Sequence, residues 1–285
     1  MNIRTDLALE AHNLYRKNNI SQIDGVDVDV EKSEDITKTL VKIINENGAK
    51  ALGKAIGNYI TIEAPDLKYD NTVYESTCKI ISDTINALID SQNDGVTLVV
   101  GLGNDKITPD ALGMRAVDNI MVTHHIKRQA PHLLEDNISS VCAIKPGVLG
   151  TTGMESVNII KGVCKILNPD TVIVIDSLAA ADIRRVNTTI QICDTGIQPG
   201  SGVGNNREGI NKEVLGARVI AIGVPTVIDA STISKEPIPS DLAPLMVTTK
   251  DIDLTIERMA KTVANGINMA LHKGITLSEI ADYVG

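Results

Sequence analysis

Short runs of β-branched and other apolar residues recur along the chain, separated by polar and glycine-containing segments. The run TVIVID is apolar up to its last residue, a pattern typical of a strand that is covered on both faces of a sheet. Runs of this kind predict six strands: Asn58–Ala64, Val96–Gly101, Ser140–Pro146, Thr171–Asp176, Thr188–Cys193 and Arg218–Val224.

Amphipathic stretches of helical length lie between these runs. The alternation favours an α/β fold in which helices pack on both sides of a mainly parallel sheet. No boundary divides the chain, so we predict a single α/β domain over residues 1–285. The segment Ser231–Asp251 contains three prolines and is predicted to be an irregular excursion. The predicted helices are Ser33–Asn47, Val73–Ile89, Ala111–Arg128, Gly153–Leu167 and Asp253–Leu271.

The composition of the chain argues against some classes of function. The chain has five tyrosines, no phenylalanine, no tryptophan and a formal net charge of −9. These features argue against base-stacking surfaces and against binding of nucleic-acid phosphates. The N-terminal segment has no apolar signal region and no apolar run reaches membrane-spanning length, which predicts a soluble intracellular protein without membrane or direct nucleic-acid partners. The four cysteines are widely spaced, which indicates reduced thiols rather than a zinc cluster or disulfide framework.

Polar segments follow three of the predicted strands, at the sheet edge where open α/β proteins bind ligands. The first, GLGNDKITPD, begins like a dinucleotide fingerprint, but Lys106 takes the place of the third glycine. The second is DSLAA, and the third is DTGIQPGSGVGNN. The glycines of the third segment are either a flexible turn or a set of backbone amides for an oxyanion.

Two aspartates in these segments are candidates for catalysis. Thr108 is a suitable N-cap and Pro109 suits the first helical position, which places Asp110 in the first turn of a helix. Asp176 ends an apolar strand, where a carboxylate is costly unless it is paired or functional. If their strands are neighbours, the two aspartates form a pair that shares a proton and activates water. The structural alternative is one carboxylate at a helix N-terminus and one ordinary buried carboxylate.

The other reactive residues have less support as catalytic or metal-binding groups. His124 and His125 are adjacent on a predicted helix and do not share a face, so they do not form a paired metal-ligand set. Cys193 is a thiol nucleophile candidate without an obvious histidine partner, and Cys164 is predicted to lie in the core. Ser201 lacks the context of a nucleophile elbow, which leaves a serine triad unsupported but open.

Seven segments between Arg4 and His272 resemble, in the expected order, those of the germination proteases of spore-forming bacteria. The segment DTGIQPGSGVGN is the most specific of them. The resembling segments are RTDLALEA, YITIEAP, VVGLGN with TPDALG, VIDSLAA, VNTTIQICDTGIQPGSGVGNNR, GVPTVIDA and ANGINMALH.

The resemblance implies an aspartic-type endopeptidase that degrades small acid-soluble spore proteins during germination and cuts after a glutamate. It also implies a three-layer α/β/α fold similar to the hydrogenase maturation proteases, a homotetramer, and a location in the cytoplasm of the spore core. The two proposed catalytic aspartates of the family match Asp110, in T-P-D-A-L-G, and Asp176, in I-D-x-L-A-A. We predict neither a cofactor nor a metal.

The two aspartates suggest a division of labour. Asp110, held as an anion by a helix N-terminus, takes a proton from water, and Asp176 holds a proton for the leaving amine; the reverse assignment stays open. Recognition of glutamate requires a cation, for which the candidates are Arg115, Lys145, Arg184, Arg185 and Arg207. Backbone donors for an oxyanion or for the substrate backbone are expected near Gly101, Gly103, Gly200, Ser201 and Gly202.

Members of this family are made as zymogens with a pro-segment ahead of the R-T-D-L-A motif, which here begins at Arg4. We therefore expect either a mature-like form or a different restraint on activity. The region after Ala230 is also shorter than the resemblance leads us to expect. The rival functions are a metal-dependent peptidase, a maturation factor on the same fold that binds a partner without cutting it, and a nucleoside or nucleotide hydrolase.

Overall fold

The computed structural model describes residues 5–18, 23–89, 95–200, 207–234 and 245–284. The α-helices within these ranges are α1 Ala8–Asn18, α2 Glu46–Leu52, α3 Asn71–Leu88, α4 Leu112–Val117, α5 His124–Gln129, α6 Leu149–Thr152, α7 Ser156–Leu167, α8 Lys212–Leu215, α9 Ala230–Ile233, α10 Ile252–Leu271 and α11 Leu277–Val284. The strands are β1 Val26–Lys32, β2 Thr37–Ile43, β3 Gly57–Glu63, β4 Val96–Gly101, β5 Ser140–Ile144, β6 Thr171–Ala180, β7 Thr189–Cys193, β8 Arg218–Asp229 and β9 Met246–Val247.

All of these strands belong to one sheet, in the order β1-β2-β3-β7-β8-β6-β4-β5, with β9 added beside β8. The strands β8, β6, β4 and β5 are parallel. The other pairings, from β1 through β7 to β8 and from β8 to β9, are antiparallel. The prediction of a mainly parallel sheet is therefore wrong, and the sheet is mixed. Residues 33–36 alone connect β1 to β2, and so short a connection permits only antiparallel pairing.

Helices cover both faces of the sheet, as the alternation of strand and helix predicts. Along β6, Ile173 and Ile175 point to the face covered by α3, α4 and α10. Val172 and Val174 point to the opposite face, where α7 packs. The helices α1 and α2 cover the antiparallel half on that second face, against β2 and β3. Continuous apolar strands therefore lie between two layers of helices.

The predicted helix Ser33–Asn47 is wrong, because these residues contain the strand β2 and only the start of α2. In β2 the buried side chains are those of Thr39, Val41 and Ile43, which alternate with more exposed ones. This period of two places one face of the strand against the core. The strand β1, with sequence VDVDVEK, was not predicted; it is largely exposed and pairs only with β2.

The predicted helix Ala111–Arg128 is interrupted, and α4 and α5 replace it. Between them the chain is tied to other elements. The Met121 N–H donates to Asn268 Oδ1 at 3.0 Å, and the Thr123 N–H donates to the Val141 carbonyl at 3.0 Å. These long-range bonds compete with the intrahelical ones and end α4.

The remaining predicted helices are confirmed with small shifts of their ends, as α3, α7 and α10. Within the predicted irregular segment Ser231–Asp251, α9 and β9 are ordered elements, while residues 235–244 lie outside the described ranges. None of the described helices is long and apolar enough to cross a membrane.

Gly113 lets α4 approach the end of β4 and the middle of β6. A Cβ atom at this position would collide with the Ile175 carbonyl and would lie 2.6 Å from the Leu102 nitrogen. We expect Gly113→Ala to lower the free energy of unfolding by about 1–3 kcal/mol, because the clash is with backbone atoms that cannot turn aside. Urea denaturation monitored by circular dichroism measures this change.

Gly162 is the matched control, since it lies within α7 and a Cβ atom there would meet nothing within 4 Å. Gly162→Ala should raise the free energy of unfolding by about 0.5–1 kcal/mol through better helix propensity. Equal effects of the two substitutions would contradict the close approach of α4.

Candidate active site

The candidate site lies where β4 ends beside its parallel neighbour β6, which continues to Ala180, so the prediction that this strand ends at Asp176 is wrong. Gly101, the last residue of β4, is paired with Ile175, and Asp176 follows Ile175 on β6. The Leu102 N–H continues this pairing by donating to the Ile175 carbonyl at 2.8 Å. The chain that leaves β4 is therefore held against the residue that precedes Asp176.

Asp110 lies in a tight turn that returns to the end of β4. The Asn104 N–H donates to the Asp110 carbonyl at 3.0 Å, and the Asp110 N–H donates to the Ile107 carbonyl at 2.8 Å. Gly103 has a φ of +104°, and a Cβ atom on it would collide with the Asp110 carbonyl. The Thr226 hydroxyl of β8 donates to the Pro109 carbonyl at 2.6 Å and fixes the turn from the other side.

The predicted cap of this turn is wrong. Residues Thr108–Asp110 form a separate turn of 3-10 helix, whose N-cap is Ile107 without a side-chain hydrogen bond, and α4 begins two residues after Asp110. The expectation that a helix N-terminus holds Asp110 as an anion is also not met. Burial raises the pKa of Asp110, while a backbone hydrogen bond from Asn104 and the charge of Arg207 lower it.

Asp176 is only 6% exposed, although it is ionisable. One of its carboxylate oxygens accepts a hydrogen bond from the Ser177 N–H at 2.9 Å. Burial raises its pKa well above the ordinary value for aspartate, and the charges of Asp110 and Asp6 raise it further. The Ser177 hydrogen bond and the charge of Arg207 act in the opposite direction. Burial therefore disfavours the ionised form of Asp176 more than that of Asp110, which is only partly buried.

A third carboxylate, Asp6, was not predicted as a site residue. One of its carboxylate oxygens accepts a hydrogen bond from the Ala179 N–H at 2.9 Å, and its own N–H donates to the Ala179 carbonyl at 3.1 Å. These bonds hold the N-terminal segment along β6, three residues beyond Asp176. The motif RTDLALEA contains Asp6, but only the tertiary structure brings it to the site.

A cavity of about 430 Å³ contains all three aspartates. Polar lining also comes from Thr226, Thr248 and Ser177, whose buried hydroxyl oxygen has no hydrogen-bond partner among the described residues. The apolar lining includes Ile107, Val148, Leu178, Val227 and Met246. A peptide that enters this cavity would meet the carboxyl groups of Asp110 and Asp176 among mainly apolar side chains.

The candidate backbone donors fall into three groups. Gly103 and Gly200 line the cavity, and the Gly103 N–H donates no hydrogen bond to a described residue. Gly101 is a packing residue, because a Cβ atom on it would collide with the Gly113 carbonyl. Ser201 and Gly202 lie outside the described residues.

Ion-pair partners distinguish four of the five candidate cations from the fifth. Arg115 pairs with Glu257 and Lys145 pairs with Asp118. Arg184 pairs with Asp182, and Arg185 with Glu10 and Glu63. Arg207 lines the cavity and forms no ion pair with a described residue.

The other reactive residues lie away from the cavity. Cys193 is 5% exposed, burial raises the pKa of its thiol, and its sulfur donates to the Gly196 carbonyl at 3.3 Å. Cys164 belongs to the core, as predicted. His124 Nδ1 lies 2.8 Å from the Ser140 hydroxyl. Among the described residues, no group of three or more His, Cys, Asp and Glu side chains is arranged to hold a metal ion.

Comparisons with known proteins agree on one family. The sequence model of the family described as germination protease matches residues 4–243. The chain is 41% identical to the germination protease of Clostridium tetani over 100% of both chains. It is 46% identical to that of Caldanaerobacter subterraneus subsp. tengcongensis, over 98% of this chain and 97% of the relative. It is 43% identical to that of Clostridium perfringens over 99% of each.

The burial of Asp176 predicts an unusual dependence of stability on pH. An aspartate whose pKa is raised by folding stabilises the fold below its unfolded pKa of about 3.9, and this contribution is lost as the pH rises through the folded pKa. We therefore expect Asp176→Asn to have a higher free energy of unfolding than the wild type at pH 7. The difference should shrink towards zero near pH 4, as measured by urea denaturation across this range.

Asp182 is a control for which we expect the opposite effect on the free energy of unfolding. Its hydrogen bonds with Arg184 lower its pKa to about 2, so its contribution is present at neutral pH and lost as the pH falls towards that value. Asp182→Asn should therefore be less stable than the wild type at pH 7. An Asp176→Asn protein that is also less stable at pH 7 would contradict the burial of an ionisable carboxyl group.

Proposed function

The chain belongs to the germination protease family, and we propose that it is an endopeptidase in which Asp110 and Asp176 together activate water. The observation that carries this proposal is the convergence of the two carboxyl groups on one cavity, with Asp176 buried and its pKa raised by the charge of Asp110. Such a pair keeps one member as a base while the other remains an acid.

The environments of the two aspartates support the division of labour. Asp110 is partly buried, and both the Asn104 backbone and Arg207 favour its ionised form. It takes a proton from a water molecule as the water oxygen attacks the peptide carbonyl carbon. Asp176, as the carboxylic acid, donates its proton to the leaving nitrogen when the C–N bond breaks. The two carboxyl groups titrate as a pair. The roles of base and acid therefore describe the protonation state in which Asp110 is ionised and Asp176 is protonated.

The developing oxyanion requires donors that are already in place. The Gly103 N–H lines the cavity and has no other described acceptor, so it is the donor that we assign to this role. Gly200 also lines the cavity and is the second donor that we assign.

The finer features of the proposal follow from membership of the family. The substrates are small acid-soluble spore proteins, cut after a glutamate in the germinating spore core. The protein acts as a homotetramer of single-domain α/β subunits that resemble hydrogenase maturation proteases, and this chain is either a mature-like form of a zymogen or is restrained in another way. Support in this chain is the germination protease name shared by its relatives and the packing of helices on both faces of the sheet.

Substitution of either aspartate tests the proposal. Asp110→Asn and Asp176→Asn should each lower kcat/KM by about 10²- to 10⁴-fold or more, because each removes a proton-transfer group while keeping its shape. The measurement is cleavage of a purified small acid-soluble spore protein, with the cut sites mapped by mass spectrometry.

Asp105→Asn is the matched control, since Asp105 is an exposed aspartate in the same turn and does not line the cavity. It should cleave like the wild type. Near-full activity of either Asp110→Asn or Asp176→Asn would overturn the aspartate pair. Loss of activity with a chelator and its recovery with added metal would favour a metal-dependent peptidase instead, and binding without any cut would favour a maturation factor.

A further inference from the structure

Arg207 is the only Lys, Arg or His among the described residues that line the cavity. The other charged side chains of the lining are the carboxyl groups of Asp6, Asp110 and Asp176. Arg207 is therefore the one cationic residue that the described lining offers to a substrate.

The guanidinium of Arg207 forms no ion pair or hydrogen bond with a described residue, although its charge acts on Asp110 and Asp176. The Arg207 carbonyl accepts a hydrogen bond from Gln198 Nε2 at 3.3 Å, which leaves the side chain out of that contact. A guanidinium carries five N–H donors in a planar fork that matches a carboxylate. The four other candidate cations use their charge in ion pairs elsewhere.

The surroundings make a cation necessary for an acidic ligand. Ile107, Val148, Leu178 and Met246 line the same cavity. A carboxylate that leaves water for such surroundings is costly unless a charged donor compensates. An amide of the same shape gains much less from a guanidinium, so the cavity distinguishes an acidic side chain from its neutral analogue.

We propose that Arg207 is the residue that binds the carboxylate side chain of the substrate, on the amino side of the cleaved bond. This inference rests on the proposed function, since it takes the cavity around Asp110 and Asp176 as the place of cleavage. It makes Arg207 a specificity-determining residue that contacts the substrate. The glutamate preference proposed for the enzyme then has one source in the described part of the chain.

Arg207 also affects the ionisation of the two aspartates, and this effect must be separated from substrate binding. Its charge also lowers the pKa of both Asp110 and Asp176. Removing that charge would alter the cleavage of every substrate. The ratio of kcat/KM for two peptides that differ only in the acidic residue cancels this common effect.

The experiment therefore uses two peptides, identical except for Glu or Gln before the cleaved bond. The wild type should prefer the Glu peptide by about 10- to 100-fold, the range expected for hydrogen bonds to a charged group. Arg207→Gln should lose most of this preference, and Arg207→Lys should keep part of it because it keeps the charge. Loss of rate on both peptides with an unchanged ratio would overturn the proposal.

Arg184→Gln is the matched control, because it removes the same charge from a side chain that is 86% exposed and paired with Asp182 outside the cavity lining. It should keep the wild-type ratio. A ratio that falls as much in Arg184→Gln as in Arg207→Gln would show a general effect of net charge and would overturn the assignment.

A binding measurement separates failure of this inference from failure of the proposed function. The same two peptides are titrated into Asp176→Asn and into the Asp176→Asn, Arg207→Gln double variant by calorimetry. A Glu preference that disappears with Arg207 supports the inference, even if the wild type cuts neither peptide and the peptidase proposal fails. Equal affinity for the two peptides in Asp176→Asn overturns the inference, even if both peptides are cleaved by the wild type.

Discussion

The burial of Asp176 beside a second carboxyl group is the constraint on which the rest of the site depends. Burial raises the pKa of Asp176 and the charge of Asp110 raises it further, so ionising both carboxyl groups at once is costly. This holds only if neither side chain can move into solvent. Asp176 is fixed because β6 lies between β4 and β8 in the parallel half of the sheet. Asp110 is fixed because Gly103 and Gly113 let its turn and α4 approach backbone carbonyls more closely than a side chain would allow.

The antiparallel half of the sheet supports the same site from the other side. The Gln191 side chain on β7 accepts from the Ala8 N–H at 2.7 Å and donates to the Asp6 carbonyl at 3.2 Å. Lys54 donates to the same carbonyl at 2.9 Å. Glu10 accepts from the N–H groups of Ala181 and of the residue after it, just beyond β6. The segment that carries Asp6 is thus tied to β6 and β7 together, and its charge adds to the proton affinity of Asp176.

Sequence patterns predicted the parts of this arrangement that depend on local burial. The strands β4, β6 and β8 are apolar runs, and the order of motifs identified the family and the candidate aspartates. The pattern failed where tertiary contacts decide: β1 alternates valine with acidic residues because it is an exposed edge, and β2 matched a helical period because Ile36, Leu40 and Ile44 are four apart. Asp6 lines the cavity, and Arg207 is the one of the five candidate cations that does so, because of contacts between segments that are distant in sequence. Such contacts cannot be predicted from the composition of the chain or from the spacing of its residues.

The charge balance of the cavity links recognition to chemistry. Three carboxyl groups face one guanidinium, so an acidic substrate would be repelled if all three were ionised. In the proposed mechanism a proton on Asp176 reduces that repulsion, and Arg207 supplies the attraction. When a substrate carboxylate binds Arg207, it offsets the positive charge that otherwise lowers the pKa of Asp110. Asp110 then becomes a stronger base once an acidic residue is in place. If Asp110 is the proposed base, part of the discrimination between acidic and neutral substrates would therefore appear in kcat rather than only in KM, because the substrate's charge would change the pKa of that base.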